Sequence, residues 1–386
     1  MSLWHNAVLA QLLASGAVAW SACCPCRVAP EEVPADWQAI STDGLKSPGR
    51  IRPADYTATF QRLIEACQQG ATCSAKPRGV GHVAGSLRRY PMAVRSSGAH
   101  AHGWGRHTTC AENVNTLMDR AFSELHLDGI EIDTHSTPGR DPADCSLDRP
   151  CASVVHDEPR WDVASGPDSA GKKYLTDNSL VKVLGHFAER YATQGRHLFL
   201  ELKEPKGCSN ADLGKAGKCA SRIHGIVRDV AAVHAVSSLA DRLDFISFSR
   251  HALDSAHEAS LQTALNGHVG FQFIAGVSAD KSNVLCRVVA LTSQPVDEIT
   301  RGDLNWLAQE GWISGVWFSP FCYPDAAQAL AAINRERAMA RLAPLQVGIS
   351  TYQERESDIL GWLKMQYREP SSDLAVIASF IVDIDG

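Results

Sequence analysis

Two short segments carry charged side chains at alternate positions, the spacing that places them on one face of a strand. Gly129-Ile130-Glu131-Ile132-Asp133 puts Glu131 and Asp133 on the same side, and Leu200-Glu201-Leu202-Lys203 does the same for Glu201 and Lys203. Carboxylates brought close together stay ionised only when a cation compensates them. An all-oxygen ligand set of Glu131, Asp133 and Glu201 suits a hard divalent ion, Mg²⁺ or Ca²⁺, rather than zinc. Histidines stand in comparable places: His100 and His102 in Ala99-His100-Ala101-His102-Gly103, and His156 in Val154-Val155-His156-Asp157-Glu158. Two imidazoles flanking a cation can serve as general base and general acid.

These residues need a scaffold in which strand ends converge. Short apolar runs at 92–97, 129–134, 197–203, 243–248, 269–274, 315–319, 345–350 and 374–382 read as strands. Helical patterns separate them, including 113–125, 180–193 behind Ser179, 220–236, 253–265 and 325–341 behind Asp325. Strands alternating with helices imply parallel crossovers, and eight such strands close a (β/α)₈ TIM barrel, whose sites lie at the C-terminal rim. A doubly wound open sheet is the competing arrangement. The segment 72–89, rich in Gly and basic residues, reads as a loop leading to a barrel over 92–386. Residues 23–91 read as a Cys/Pro-rich linker with an N-terminal helix at 55–69. That helix carries Tyr56, Phe60, Leu63 and Ile64 on one face and is expected to cover the barrel flank beyond the eighth strand.

The composition excludes several classes of function. The chain has 386 residues, 45% hydrophobic and 21% charged, with a formal net charge of -6. No basic run marks a nucleic-acid surface, and no apolar run approaches the ~20 residues that cross a bilayer. A core of this size needs no covalent staples, yet there are 12 cysteines. Cys145 with Cys151, and Cys208 with Cys219, would close short loops as disulfides, which implies an oxidising compartment. Residues 1–22 contain an apolar stretch, Ala7 to Trp20, and small-residue steps that read as a signal peptide without a basic n-region. The expectation is a secreted, periplasmic or cell-envelope protein, against the alternative of a cytoplasmic enzyme with free buried thiols.

The order of motifs resembles the glycerophosphodiester phosphodiesterase family, within the phospholipase C-like phosphodiesterase barrels. Ala111-Glu112-Asn113, Asn115-Thr116, Ala121-Phe122, Asp128 to Asp133, Thr137 and Val154 to Glu158 occur in sequence, followed by Leu200 to Lys203 and Ile246-Ser247-Phe248. The resemblance spans about residues 94–250. It implies a barrel of that type, a divalent metal held by Glu131, Asp133 and Glu201, and hydrolysis of phosphoric diesters with His156 as one catalytic histidine. His102 or His100 would be the other, since the family's HRG tripeptide appears as His-Ala-His-Gly. Lys203 would help neutralise the phosphate. The implied substrate is a glycerophosphodiester or a phospholipid head group, with peripheral membrane contact in the latter case. Two alternatives stand beside it: a phospholipase of C or D type, and a decayed barrel serving as a surface binding protein. Trp104, Trp161, Trp317, Phe318, Phe321 and Tyr323 could form the apolar collar that intact lipids require.

Overall fold

β-branched and aromatic runs with alternating polarity become strands wherever a neighbour can pair with them. The structure, a computed structural model, describes residues 73–82, 114–124, 127–154, 178–203, 217–237, 241–275, 305–318, 326–350 and 376–383, with a few single positions besides. Its strands are β1 (Cys73–His82), β2 (Gly129–Ser136), β3 (Ala152–Val154), β4 (His197–Leu202), β5 (Leu243–Ser247), β6 (Gly270–Ala275), β7 (Gly315–Phe318), β8 (Gln346–Ser350) and β9 (Val376–Asp383). The helices among the described residues include α1 (Val114–Asp119), extended by a π-turn over Arg120–Glu124, then α2 (Leu180–Arg190), α3 (Lys218–His234), α4 (Arg250–Leu261) and α5 (Ala326–Met339).

All strands but β3 pair in parallel, and the pairings close on themselves: β1 bonds to both β2 and β9. The result is an eight-stranded parallel barrel, with β3 added antiparallel on β2. The barrel expected from the sequence is therefore the observed architecture, and the open sheet is excluded. Seven of the eight expected strands fall where the apolar runs placed them; the stretch 92–97 lies outside the described residues.

The barrel's first strand is instead β1, inside the segment read as a loop, and that reading is corrected. Its sequence, Cys-Ser-Ala-Lys-Pro-Arg-Gly-Val-Gly-His, has almost no intrinsic strand preference. Pairing on both sides makes it a strand, and Pro77, which has no N–H to give a ladder, coincides with a register shift between Cys73 and Arg78. The expected helix 55–69 and the leader at 1–22 lie outside the described residues.

Alternation along each strand divides the core in two. Ile130, Ile132, Leu198, Leu200, Leu202, Leu243, Phe245, Phe271, Phe273, Val316 and Val347 face outward and meet helix residues such as Leu184, Phe187, Ile226, Val230 and Leu253 in the main apolar cluster. Phe199, Ile246 and Trp317 form a separate cluster inside the barrel, with Phe199 edge-on to Trp317 at 5.1 Å. Towards the strands' N-terminal ends, His197 Nε2 lies 3.2 Å from Asp244 Oδ2, and Gln272 donates to the same carboxylate.

Three glycines make this interior possible. Gly270, Gly315 and Gly348 are the ladder partners of Asp244, Gln272 and Trp317 on the preceding strands. A Cβ at these positions would lie 1.9 Å from Asp244 Oδ1, 2.7 Å from Gln272 Oε1 and 2.2 Å from the Trp317 indole. Each bulky interior side chain thus leans over a neighbour that has none. Trp317 is only 2% exposed. It plugs the barrel below the rim, so it is not part of an apolar collar at the mouth.

Candidate active site at the barrel rim

Parallel strands bring their C-terminal ends to one rim, where the site is assembled. Glu131 and Asp133 lie on the face of β2 opposite Ile130 and Ile132, and those isoleucines are held in the outer core. Asp133 is the ladder partner of Glu201 on β4, just as Glu131 is of Phe199. Register alone therefore sets two carboxylates side by side and a third one pleat deeper. Oxygen atoms of Glu131, Asp133 and Glu201 all lie within 4.8 Å of one another. All three residues are buried.

Lys203 follows β4 directly. Its Nζ stands 2.6 Å from Asp133 Oδ1 and 2.6 Å from Glu201 Oε1. Burial by itself would lower the lysine's pKa, but the charges of Asp133, Glu201 and Glu131 outweigh it and raise the pKa above its ordinary value. The surrounding carboxylates therefore favour the ammonium form. Three carboxylates against one ammonium leave this group of side chains a formal charge of −2, which matches a divalent cation. Charge, donor chemistry and spacing all fit such an ion, and zinc's preference for nitrogen and sulfur ligands does not.

Hydroxyl groups fix the strand ends that carry these side chains. Thr134 Oγ1 donates to Glu201 O at 2.8 Å, and Lys203 N donates to Thr134 O at 3.2 Å. On the other side, Ser247 Oγ donates to Leu202 O at 2.9 Å and accepts from Ser249 N at 3.1 Å. Ser249 in turn caps α4 by accepting from Ala252 N. The last two carbonyls of β4 are thus held from both neighbouring strands, which limits how far Glu201 and Lys203 can drift.

The sequence reasoning brought Glu131, Asp133, Glu201 and Lys203 together, and the structure does so too. His100, His102 and His156 lie outside the described residues; His156 stands two positions beyond the end of β3. One further buried residue on the same face of β2 was not singled out. His135 continues the alternation of Glu131 and Asp133 on β2 and is 4% exposed. The same period-two rule that singled out the two acids would have found it.

Beyond β2 the chain makes a hairpin into β3. Thr137 N donates to Cys151 O at 2.7 Å, and a short 3₁₀ turn over Pro142–Asp144 is capped by Asp141. Both expected disulfides are present: Cys145–Cys151, with a Cα separation of 5.5 Å, and Cys208–Cys219, at 5.8 Å. No helix among the described residues is long and apolar enough to cross a membrane.

No family model and no curated protein matches the chain. Solved structures similar to it include a glycerophosphodiester phosphodiesterase from Parabacteroides distasonis, at 12% identity and TM-score 0.40 over 80% of this chain and 94% of that one. A chain from Galdieria sulphuraria assigned the same activity aligns at 16% identity and TM-score 0.38, over 81% of this chain and 95% of its own length. One from Silicibacter pomeroyi, assigned as a glycerophosphoryl diester phosphodiesterase, aligns at 13% identity and TM-score 0.38, over 82% and 93%. With TM-scores this low, the barrel rests on the strand pairing described above.

Proposed function

We propose that this chain is a metal-dependent phosphoric diester hydrolase acting on glycerophosphodiesters or phospholipid head groups, with Mg²⁺ or Ca²⁺ as its cation. The observation that carries this reading is the buried Glu131–Asp133–Glu201 group with Lys203 at its edge, on adjacent strand ends of a closed parallel barrel. The ordered motifs from Ala111 to Phe248, which resemble the glycerophosphodiester phosphodiesterases, agree with it. Export from the cytoplasm accompanies the proposal, supported by two short-loop disulfides.

When bound, a divalent cation would polarise the phosphoryl oxygens and offset their charge. Glu131, Asp133 and Glu201 would hold that cation. Lys203, already fixed at the rim, offers its ammonium to a non-bridging phosphate oxygen, where negative charge grows as the diester is attacked. His156 and one of His100 and His102 divide the proton work. One removes a proton from the attacking oxygen, and the other delivers a proton to the departing alcohol oxygen, which leaves poorly as an alkoxide. Attack by water gives a phosphomonoester and a free alcohol. Attack by a neighbouring hydroxyl of the substrate gives a cyclic phosphate and the same alcohol.

Glycerophosphocholine incubated with the protein, with and without chelator, tests the reading, and phosphorus NMR of the products separates the two routes. The expected result is chelator-sensitive release of choline, lost by ~10²–10⁴-fold in His156→Ala and in one of His100→Ala and His102→Ala. Turnover untouched by chelator, or near-normal rates in all three variants, would overturn the proposed chemistry.

A further inference from the structure

The inward face of β2 continues beyond the two acids. Ile130 and Ile132 belong to the outer apolar cluster. Ser136 is gripped from outside the barrel by α3: Arg222 donates through Nη2 to Ser136 O at 2.7 Å and through Nε to Ser136 Oγ at 3.1 Å. The ladder runs without a register shift from Gly129 to Ser136. Positions 130, 132 and 136 therefore mark the outer face, and His135 falls on the other one with Glu131 and Asp133. It is buried to the same degree as Glu201, each being 4% exposed.

Register places His135 one layer above the carboxylates. Asp133 is the ladder partner of Glu201, and Thr134 of Leu202. Lys203 N donates to Thr134 O at 3.2 Å, so β4 keeps step with β2 for one residue more. His135 and Lys203 are then neighbours across the two strands, about 6.6 Å along them from the Asp133–Glu201 pair. Solvent reaches this layer, since the Lys203 side chain keeps 18% of its exposure. The potential ligands within 4.8 Å of one another are Glu131, Asp133 and Glu201, without His135. The imidazole thus stands on the mouth side of the cation site, outside its ligand set. Its backbone is well held: Ser153 of β3 is its ladder partner, and Asp229 of α3, fully buried, fixes β3 by accepting from Cys151 N and Ala152 N at 2.8 Å.

We propose that His135 is a phosphate-binding residue, whose ring N–H donates to a non-bridging oxygen of the phosphoryl group beside Lys203. This deepens the phosphodiesterase reading and rests on it for the presence of a diester. Two non-bridging oxygens share the negative charge of a phosphoric diester, and the buried carboxylates repel that charge. Donors are needed between the two, and Lys203 and His135 occupy the layer where they are needed. An imidazole offers an N–H in either protonation state, so the contact does not depend on the ring's charge. The chemistry recognised is the phosphoryl anion, common to the diester, the phosphomonoester product and inorganic phosphate. Contact with an oxygen that is anionic before and during reaction acts on binding more than on the chemical step.

The test compares His135→Leu and His135→Gln with the wild type as full chains. Leu fills space without a donor, and Gln restores an N–H. Calorimetry reads Mn²⁺ affinity and the affinity of the Mn²⁺-loaded protein for inorganic phosphate, and kinetics on glycerophosphocholine gives kcat and KM. His135→Leu is expected to weaken inorganic phosphate and raise KM by ~10–10²-fold, the effect of losing a hydrogen bond to a charged group, with kcat and Mn²⁺ affinity at wild-type values. His135→Gln is expected to recover most of the phosphate affinity. Phosphate affinity unchanged in His135→Leu overturns the proposal. So does a Mn²⁺ affinity that falls with it, because the ring would then be supporting the cation site. So does a wild type that binds no inorganic phosphate. Nitrogen NMR of histidine-labelled wild type in Mg²⁺ needs no variant to fold: inorganic phosphate should shift the His135 ring signal, and an unshifted signal overturns the proposal. Absence of turnover in the wild type would refute the phosphodiesterase reading, and phosphate affinity would then decide on its own whether His135 binds the anion.

Discussion

Replacing Lys203 by Met removes the only ammonium that the described residues place among three buried carboxylates. Met keeps the length of the side chain and its packing, so the change is mainly electrostatic. The site's formal charge falls from −2 to −3, and two ion pairs of 2.6 Å are lost together. Removing one partner from a buried ion pair typically costs ~3–5 kcal/mol, because the charge that remains loses that partner without gaining solvent. At about 2 °C per kcal/mol for a large domain, the variant should melt roughly 6–10 °C below the wild type in chelator. Lowering the pH should narrow that gap, since a carboxyl group left without its counter-ion takes up a proton more readily. Divalent cation should narrow it further, because a site of −3 gains more from a +2 ion than a site of −2; a ligand at a hundred times its Kd adds ~2.7 kcal/mol. Differential scanning calorimetry in chelator, and again with Mg²⁺ or Ca²⁺, reads both effects. A variant that melts with the wild type in chelator, and gains no more than the wild type from the cation, would refute the electrostatic account of the rim.

Gly348→Ala should destabilise the barrel by ~1–3 kcal/mol or more, because its methyl group would land 2.2 Å from the rigid Trp317 indole; chemical denaturation checks it. Replacing Cys145 and Cys151 by Ser should cost about 2 kcal/mol, and replacing Cys208 and Cys219 about 3 kcal/mol, from loop separations of 6 and 11 residues. Burial pushes the Asp229 carboxyl up to about 7 from 3.8, against the pull of its hydrogen bonds to Ala152 and Cys151 and of Arg140 nearby. The folded protein therefore binds more protons than the unfolded chain over that range. This contribution is present in acid and is lost as the pH rises from about 4 to about 7, a fall that Asp229→Asn should abolish in a series of melting curves.

Strand positions and acids were legible in the sequence for the same reason: period-two patterning records which face is buried. Ile130 and Ile132 mark the outer face of β2, so Glu131 and Asp133 had to face inward, and Leu200 and Leu202 do the same for Glu201 and Lys203. The cysteine pairs were legible because their loops are short. β1 was not legible, since its Pro and Gly residues carry no strand preference and its place comes from neighbours far away in sequence. Trp317, aromatic and near a strand end, is by its sequence open to either a rim or a core position. Only the glycine opposite it, Gly348 on the next strand, shows that the indole fits inside. The buried face of α3 escaped notice because Arg222 and Asp229, read alone, look like solvated helix charges.

The claim on which the whole account depends is that Glu131, Asp133 and Glu201 take up a divalent cation together. Crystals soaked in Mn²⁺ and measured for anomalous scattering test it most directly. The account predicts an anomalous peak bounded by oxygens of all three carboxylates, with the Lys203 ammonium moved away from its present contacts, and loss of that peak in Asp133→Asn. Absence of a peak at the rim, at Mn²⁺ concentrations that support turnover, would contradict it.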